Sequence, residues 1–460
     1  MIGYEFEFLV REGNRPLSKK TFEAFHDRLA QEGWKPKFDV GTEGIIGSEK
    51  EGFFVSTDDG VCIMEINAPP RETIDECNEP MTRLVLKLQN IYQSLGCSIV
   101  GVSVFPGEYE IKNRGCHEYC RDDRCCHKSY IKYFNAQRFP EGHHALYTFA
   151  AHQVWLDVKP AELMRQWNVL HALSAVLYAL FSNGSIFNNA PIGVYEGRDV
   201  LWQSMLESSV VGNDMQYFGM TPKPFASLIE YFDFLLTMPF YFDIREGKGY
   251  KLVNPHTTYR EFFLISESAA QFFDGTRFIV HPEKSDFWGL QQRTFPHVRI
   301  KYRIRPDVSL QEIIAAWQAR DESRFLECFE KLFLECRAIS AQPQNNLSAG
   351  PALLLGLQEN IGDSEALATS RPYQFWRELY TEVQRSGLSA SSEGHNVWDL
   401  TKDLLEISRR GLQKRGNGEE RYLEPLWKRL ERKSNPSQEL LKIYRRGGLE
   451  AVWSARDFVV

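Results

Sequence analysis

The chain opens M-I-G-Y-E-F-E-F-L-V, which reads as a β-strand with Glu5 and Glu7 on one face and Tyr4, Phe6 and Phe8 on the other, because strand side chains alternate sides. The apolar flank predicts a packed strand, so two carboxylates are aimed at one spot beside a core. Side by side they repel and resist ionisation unless a cation lies between them. A second strand-like run, V-C-I-M-E-I-N-A-P-P, supplies Glu65 and stops at Pro69-Pro70, with Asp58 and Asp59 just upstream in a D-D-G turn. Hard oxygen ligands of this kind suit Mg²⁺ or Mn²⁺. A solvated charge is the ordinary fate of a single acid; it suits Asp58 better than Glu5 or Glu7.

A net charge of −7 over 460 residues argues against a nucleic-acid surface, for which a basic balance is expected. The most apolar stretch, V-L-H-A-L-S-A-V-L-Y-A-L-F, is shorter than the ~18 residues of a membrane span and carries His171 and Ser174, so it reads as a core helix. Nine cysteines without a signal-peptide pattern at the N-terminus point to a reducing, cytoplasmic location. Of these, Cys62, Cys77, Cys97, Cys328 and Cys336 sit in apolar periodic runs and read as core residues. His143, His144 and His256 are isolated and read as structural.

Periodicity predicts a connector and an amphipathic helix over 14–35, helices over 73–95 and 161–182, and strands over 143–158 and 297–305; from about 308 onward the pattern is almost wholly helical. Strands and helices mix without a βαβ rhythm, which favours an α+β fold with an antiparallel sheet. The division expected is a catalytic domain over 1–340 and a helical region over 341–460 packed on it. The strand at 297–305 puts Arg299, Lys301, Arg303 and Arg305 on one face. Such a row is too costly to bury without anions, so either it is a solvated edge or it faces phosphates and carboxylates. No Walker loop and no G-x-G-x-x-G opening a helix is present, leaving a metal-and-arginine nucleotide site as the design the sequence supports.

The segments I-G-Y-E-F-E-F, D-G-V-C-I-M-E-I-N-A-P-P, H-Q-V-W-L-D-V, E-G-R-D-V-L-W and F-P-H-V-R-I-K follow one another in an order and spacing that resembles the plant-type glutamate-cysteine ligases, members of the glutamine-synthetase-like carboxylate-amine ligases. The resemblance implies a curved antiparallel sheet forming a funnel, in which ATP with Mg²⁺ or Mn²⁺ phosphorylates the side-chain carboxylate of glutamate and the amine of cysteine attacks the acyl phosphate. By that likeness Glu5, Glu7, Asp59 and Glu65 are metal ligands. Gln153, Trp155, Arg198 and Trp202 belong to the substrate site, with Arg198 on a substrate carboxylate, and Arg299, Arg303 and Arg305 lie near the phosphates. Partners are then small molecules, with another amine, a peptide or a partner protein as alternative acceptor and with neither nucleic acid nor membrane involved. A degenerate relative that binds nucleotide or metal without turnover is a further alternative.

Three departures stand out. Where the family has E-M-R-G-A-D this chain has R-I-R-P-D, so a basic residue, Arg303 or else Lys301, replaces a metal-ligand Glu. The Asn of Q-V-N-L-D is Trp155. An insert over 113–130 gathers Cys116, His117, Cys120, Cys125, Cys126 and His127; these are ligands that suit a structural Zn²⁺, the alternative being free thiols in a loop.

Overall fold

The computed structural model describes residues 1–38, 44–58, 60–108, 147–207, 214–245, 248–272 and 274–455. The Cys/His-rich insert and Asp59 lie outside these residues, as do His143 and His144. The largest sheet is built around β1 (Ile2–Glu12), the strand that opens the chain. It also contains β2 (Lys35–Phe38), β3 (Ile45–Lys50), β4 (Phe53–Thr57), β5 (Ile63–Asn67), β6 (Cys97–Val100), β7 (His152–Asp157), β8 (Val298–Ile304) and β9 (Phe329–Cys336). The order is β8-β9-β7-β1-β5-β4-β3-β2, with β6 extending the pairing of β1, and these neighbours are antiparallel. A separate four-stranded antiparallel sheet is formed by Asp243–Arg245, Lys248–Leu252, Ser268–Phe272 and Arg277–Val280.

Strand parity behaves as the sequence predicts. Tyr4, Phe6 and Phe8 are buried in the core, and helices α2 (Ile74–Ser94) and α5 (Ala349–Glu359) pack against β1, while α3 (Leu163–Phe181) packs against β8 and β9. The opposite face carries the polar residues. Register places Glu5 between Gln153 and Asn67, and Glu7 opposite Glu65. Helix α2 starts at a capping box in which Thr73 and Glu76 bond each other's backbone, which satisfies two of the donors a helix N-terminus leaves open.

The structure corrects the sequence reading in two places. The region after 308 is not almost wholly helical: F-E-K-L-F-L-E-C forms β9, inserted in the sheet between the edge strand β8 and β7. Its alternation is short and preceded by two helices, so the helical periodicity around it masks it. The strand expected over 143–158 begins only at His152. After residue 341 helices do dominate, with α5 and α7 (Val397–Arg415) packed on each other and on α3, and α6 (Tyr373–Ser386) packed on α3. No helix among the described residues is long and apolar enough to cross a membrane.

Helices α5 and α7 approach backbone to backbone through Gly356 and Gly411: a Cβ on Gly411 would collide with the Gly356 carbonyl, and a Cβ on Gly356 with Ser408. Neither obstacle is a flexible side-chain end alone, so the helices themselves must separate. Gly411→Ala should therefore lower stability by about 1–3 kcal/mol, the usual size of an overpacked core. Urea denaturation measures this, and an unchanged midpoint would contradict the close crossing.

Candidate active site

Glu5, Glu7 and Glu65 converge on the polar face of the sheet, each offering an oxygen within 4.8 Å of the others. Glu7 is buried and accepts hydrogen bonds from the Ala151 backbone N–H (2.7 Å) and from Gln153 Nε2 (2.8 Å). Glu65 accepts from Ser56 Oγ (3.3 Å) and from Asn67. Burial pushes Glu7 up to about 8, with Asp58 and Glu5 adding repulsion. Burial, then Glu335, pushes Glu5 up to about 7 against the pull of Lys301 and Arg337. Among the described residues, the charges around Glu5 and Glu7 thus leave this pair short of positive charge. A divalent cation would supply it, and the donor set is one that Mg²⁺ or Mn²⁺ favours. Asp58, half-buried at the mouth of the cleft, adds a carboxylate on the side of Glu7.

Beside this cluster lies a second one that is electrostatically complete. Glu335 on β9 pairs with Arg299 through two contacts (2.5 and 2.9 Å), with Arg337 (3.2 Å) and with Lys301 (3.5 Å). Burial alone would raise the Glu335 carboxyl; Arg299, Lys301 and Arg337 instead hold it well below the usual carboxylate range. Arg299 also donates to the carbonyls of Gln291 and Thr294 (both 3.1 Å), so its fork is committed to the protein. Lys301 is drawn down to about 8, by burial first and then by Arg299, with Glu335 and Glu5 opposing. Its Nζ lies 5.3 Å from the centre of the Trp155 ring, which stacks on Phe333.

These placements revise the basic row. Arg303 is exposed, with Glu330 3.8 Å away. A register shift after Arg303 takes Arg305 out of the strand alternation, where it pairs with Asp307 in solvent. Neither lines the cleft, because bulk water solvates the outer end of β8 at less cost than the sheet interior can. The basic side chain beside the acidic cluster is Lys301, with Arg299 and Arg337.

The cleft itself is lined by Glu7, Asp58, Arg198, Asp199, His297 and Arg337 on its polar side and by Phe149, Trp202, Phe218 and Phe295 on the other. Arg198, from α4 (Gly197–Glu207), donates to Asp199 (Nε, 3.3 Å), to Tyr178 Oη (3.2 Å) and to the Arg337 carbonyl (3.0 Å). Burial works against its charge, but Tyr178, Asp199 and Glu196 outweigh it and raise its basicity. Gln153 has a bridging part: its amide donates to Glu7 and accepts from Arg337 (2.5 Å), so both ends are held. Trp202 packs on Phe218 and Phe295 in the apolar wall. Trp155 lies farther along the sheet, over Gly3, and is not among the cleft residues. Asp199, His297, Glu335 and Arg337 were not singled out from sequence. The alternation in E-C-R, which sets Glu335 and Arg337 on one face, is a local signal that could have found two of them.

Two predictions follow from the charges. Glu335→Gln leaves the buried Arg299 and Lys301 and the half-buried Arg337 without their carboxylate and should cost about 3–5 kcal/mol, as breaking a buried pair does; a melting temperature equal to wild type would contradict the network. The pair Glu5 and Glu7 has folded values of about 7 and about 8, above the ordinary 4.5. The folded state therefore holds protons that the unfolded chain has released, and this contribution is present at pH 4.5 and lost as pH rises through 7 and 8. The melting temperature of chelated protein should fall between pH 5 and 8.5 with a slope that millimolar Mg²⁺ flattens. A slope indifferent to Mg²⁺ would count against a cation site.

Among curated relatives, the chain is 20% identical over 392 residues to the chloroplastic glutamate–cysteine ligase of Solanum lycopersicum, covering 83% of this chain and 64% of that protein. It is 24% identical over 301 residues to the chloroplastic enzyme of Arabidopsis thaliana, covering 64% and 48%. The chain thus spans about half to two thirds of the length of these two relatives. A crystal structure of the glutamate–cysteine ligase of Francisella tularensis in complex with AMP aligns over 99% of this chain and 88% of that one, at 10% identity and a TM-score of 0.47. The family model described as glutamate-cysteine ligase family 2 matches residues 1–455, and the chain belongs to that family.

Proposed function

We propose that this protein is an ATP-dependent carboxylate-amine ligase that joins the side-chain carboxylate of glutamate to the amine of cysteine through an acyl phosphate. The observation that supports it best is the Glu5–Glu7–Glu65 cluster, which meets a cleft carrying Arg198 and Arg337 through Glu7 in a chain matched almost end to end by the glutamate-cysteine ligase family. The three carboxylates would hold Mg²⁺ or Mn²⁺, which when bound neutralises phosphate oxygens and acts as a Lewis acid.

The chain's own residues supply the rest. Arg198 commits Nε and Nη2 to Asp199, Tyr178 and the Arg337 carbonyl; among the described residues this leaves Nη1 for a substrate carboxylate and suits the forked geometry of such a pair. Arg337, fixed by Glu335 and Gln153, sets a positive charge between the acidic cluster and the cleft. It can stabilise the oxygens that gain charge during transfer without reorganising. Phe149, Trp202, Phe218 and Phe295 line the cleft with apolar surface, which would help to shield an acyl phosphate from hydrolysis.

Phosphate release from ATP, with mass-spectrometric detection of the γ-glutamyl amide, tests the reading. Turnover should require glutamate and an amine together, with cysteine preferred; no turnover with glutamate and any amine would refute it. Glu65→Gln keeps volume and removes a ligand charge, so turnover should fall about 10²–10³-fold, the size of one lost electrostatic stabiliser. Arg303→Ala should stay within about twofold, as an exposed residue does. The opposite ranking in steady-state kinetics would return the phosphate role to the outer end of β8.

A further inference from the structure

His297 carries contacts that fix its tautomer. Its Nδ1 lies 2.7 Å from Ser174 Oγ, and the same Oγ lies 2.7 Å from the His171 carbonyl one turn earlier on α3. A hydroxyl has a single proton and a carbonyl can only accept. Both contacts are hydrogen bonds only if serine donates to the carbonyl and Nδ1–H donates to serine. Nε2 is then the lone-pair nitrogen of the neutral ring. It is buried, has no hydrogen-bond partner among the described residues, and belongs to a residue lining the cleft. The carboxylate oxygen Oδ2 of Asp199 lies 3.5 Å from it.

Two acceptors facing each other in a buried place repel, and a group with at least two N–H bonds would satisfy both. Asp199 is well fixed for this, receiving hydrogen bonds from Tyr380 Oη (2.7 Å) and Arg198 Nε (3.3 Å). We propose that His297 Nε2 and Asp199 Oδ2 seat the ammonium group of the acceptor amino acid, and that His297 is the general base that takes its first proton.

This rests on the ligase reading above and names the groups that handle its second substrate. The amine arrives as R–NH₃⁺ and gives one proton to Nε2. Its freed electron pair forms the C–N bond at the acyl carbon, and the C–O bond to phosphate breaks with its electrons leaving on the phosphate. The second amine proton goes to that phosphate, and His297 later returns its own to solvent.

The surroundings suit a base that is neutral before the step. Tyr178 and His171 from α3, Arg198 and Asp199 from α4, Tyr380 from α6 and Arg337 after β9 face or flank the ring. Burial holds the imidazole below its ordinary range even though Asp199 pulls the other way and Arg198 adds to the lowering. Once the proton arrives, Asp199 is in place to stabilise the imidazolium.

The test compares cysteine with hydroxylamine, an amine already unprotonated at neutral pH, both with Mg-ATP and glutamate. In His297→Gln the ratio of amide to hydroxamate formed at pH 7 should fall about 10²–10⁴-fold, the reach of general-base catalysis, and the amide rate should climb toward pH 9. An unchanged ratio in a folded variant overturns the proposal. Wild type gives a second test that no folding defect can disturb: kcat/KM should show an acid limb with cysteine that is absent with hydroxylamine, and the same limb for both would overturn it. If wild type forms neither product, the ligase reading itself fails and this proposal falls with it.

Discussion

Two like charges on one face of one packed strand, Glu7 buried and Glu5 half-buried, are the constraint around which this protein is organised. Glu5 and Glu7 cannot be moved to solvent, since Tyr4, Phe6 and Phe8 on the same strand are fully in the core and parity then fixes the other face. Burying such a pair without compensation would drive protons onto it. The sheet answers by setting β9 and β8 two and three strands away, bringing Arg299, Lys301 and Arg337 to that face. Those cations are claimed mainly by Glu335. What remains is a carboxylate site with a deficit of positive charge next to a rigid cationic block.

The two clusters divide the work in a way that geometry dictates. The Glu335 cluster is saturated, so it can act as a fixed electrostatic wall. Glu5 and Glu7 are short of positive charge among the described residues, so the cluster they form with Glu65 can take up a cation. Gln153 joins them, since its amide touches Glu7 at one end and Arg337 at the other. Any ligand that changes the charge on Glu7 is therefore felt at Arg337 through one side chain. The same logic extends to Arg198, whose guanidinium touches the Arg337 carbonyl and Asp199. A substrate anion, a nucleotide and an amine in this cleft would thus contact one connected polar system.

How much of this could be read from the sequence depends on whether the signal is local. Parity over ten residues exposed Glu5 and Glu7 because the apolar partners are adjacent, and the helix at α2 was legible from its periodicity over 73–95. The antiparallel α+β class followed from the absence of a βαβ rhythm. β9 escaped because eight residues of alternation sit between helical stretches, and with it went Glu335, the anion that makes the basic row on β8 affordable to bury. The row itself was half right. Arg299 and Lys301 face inward as parity demands, whereas the register shift after Arg303 cannot be seen in a sequence and sends Arg305 elsewhere. Asp199 and His297 were illegible for another reason: their partners, Tyr380 and Ser174, lie over a hundred residues away in sequence.

The central claim is that Glu5, Glu7 and Glu65 hold divalent cations at the floor of the cleft. Anomalous diffraction from crystals grown with Mn²⁺ and a non-hydrolysable ATP analogue tests it most directly. The account predicts at least one manganese peak bonded to oxygens of these three glutamates at about 2.0–2.6 Å, with the triphosphate on its open side. Manganese bound elsewhere, with the three carboxylates bonded only to one another through retained protons, would contradict it.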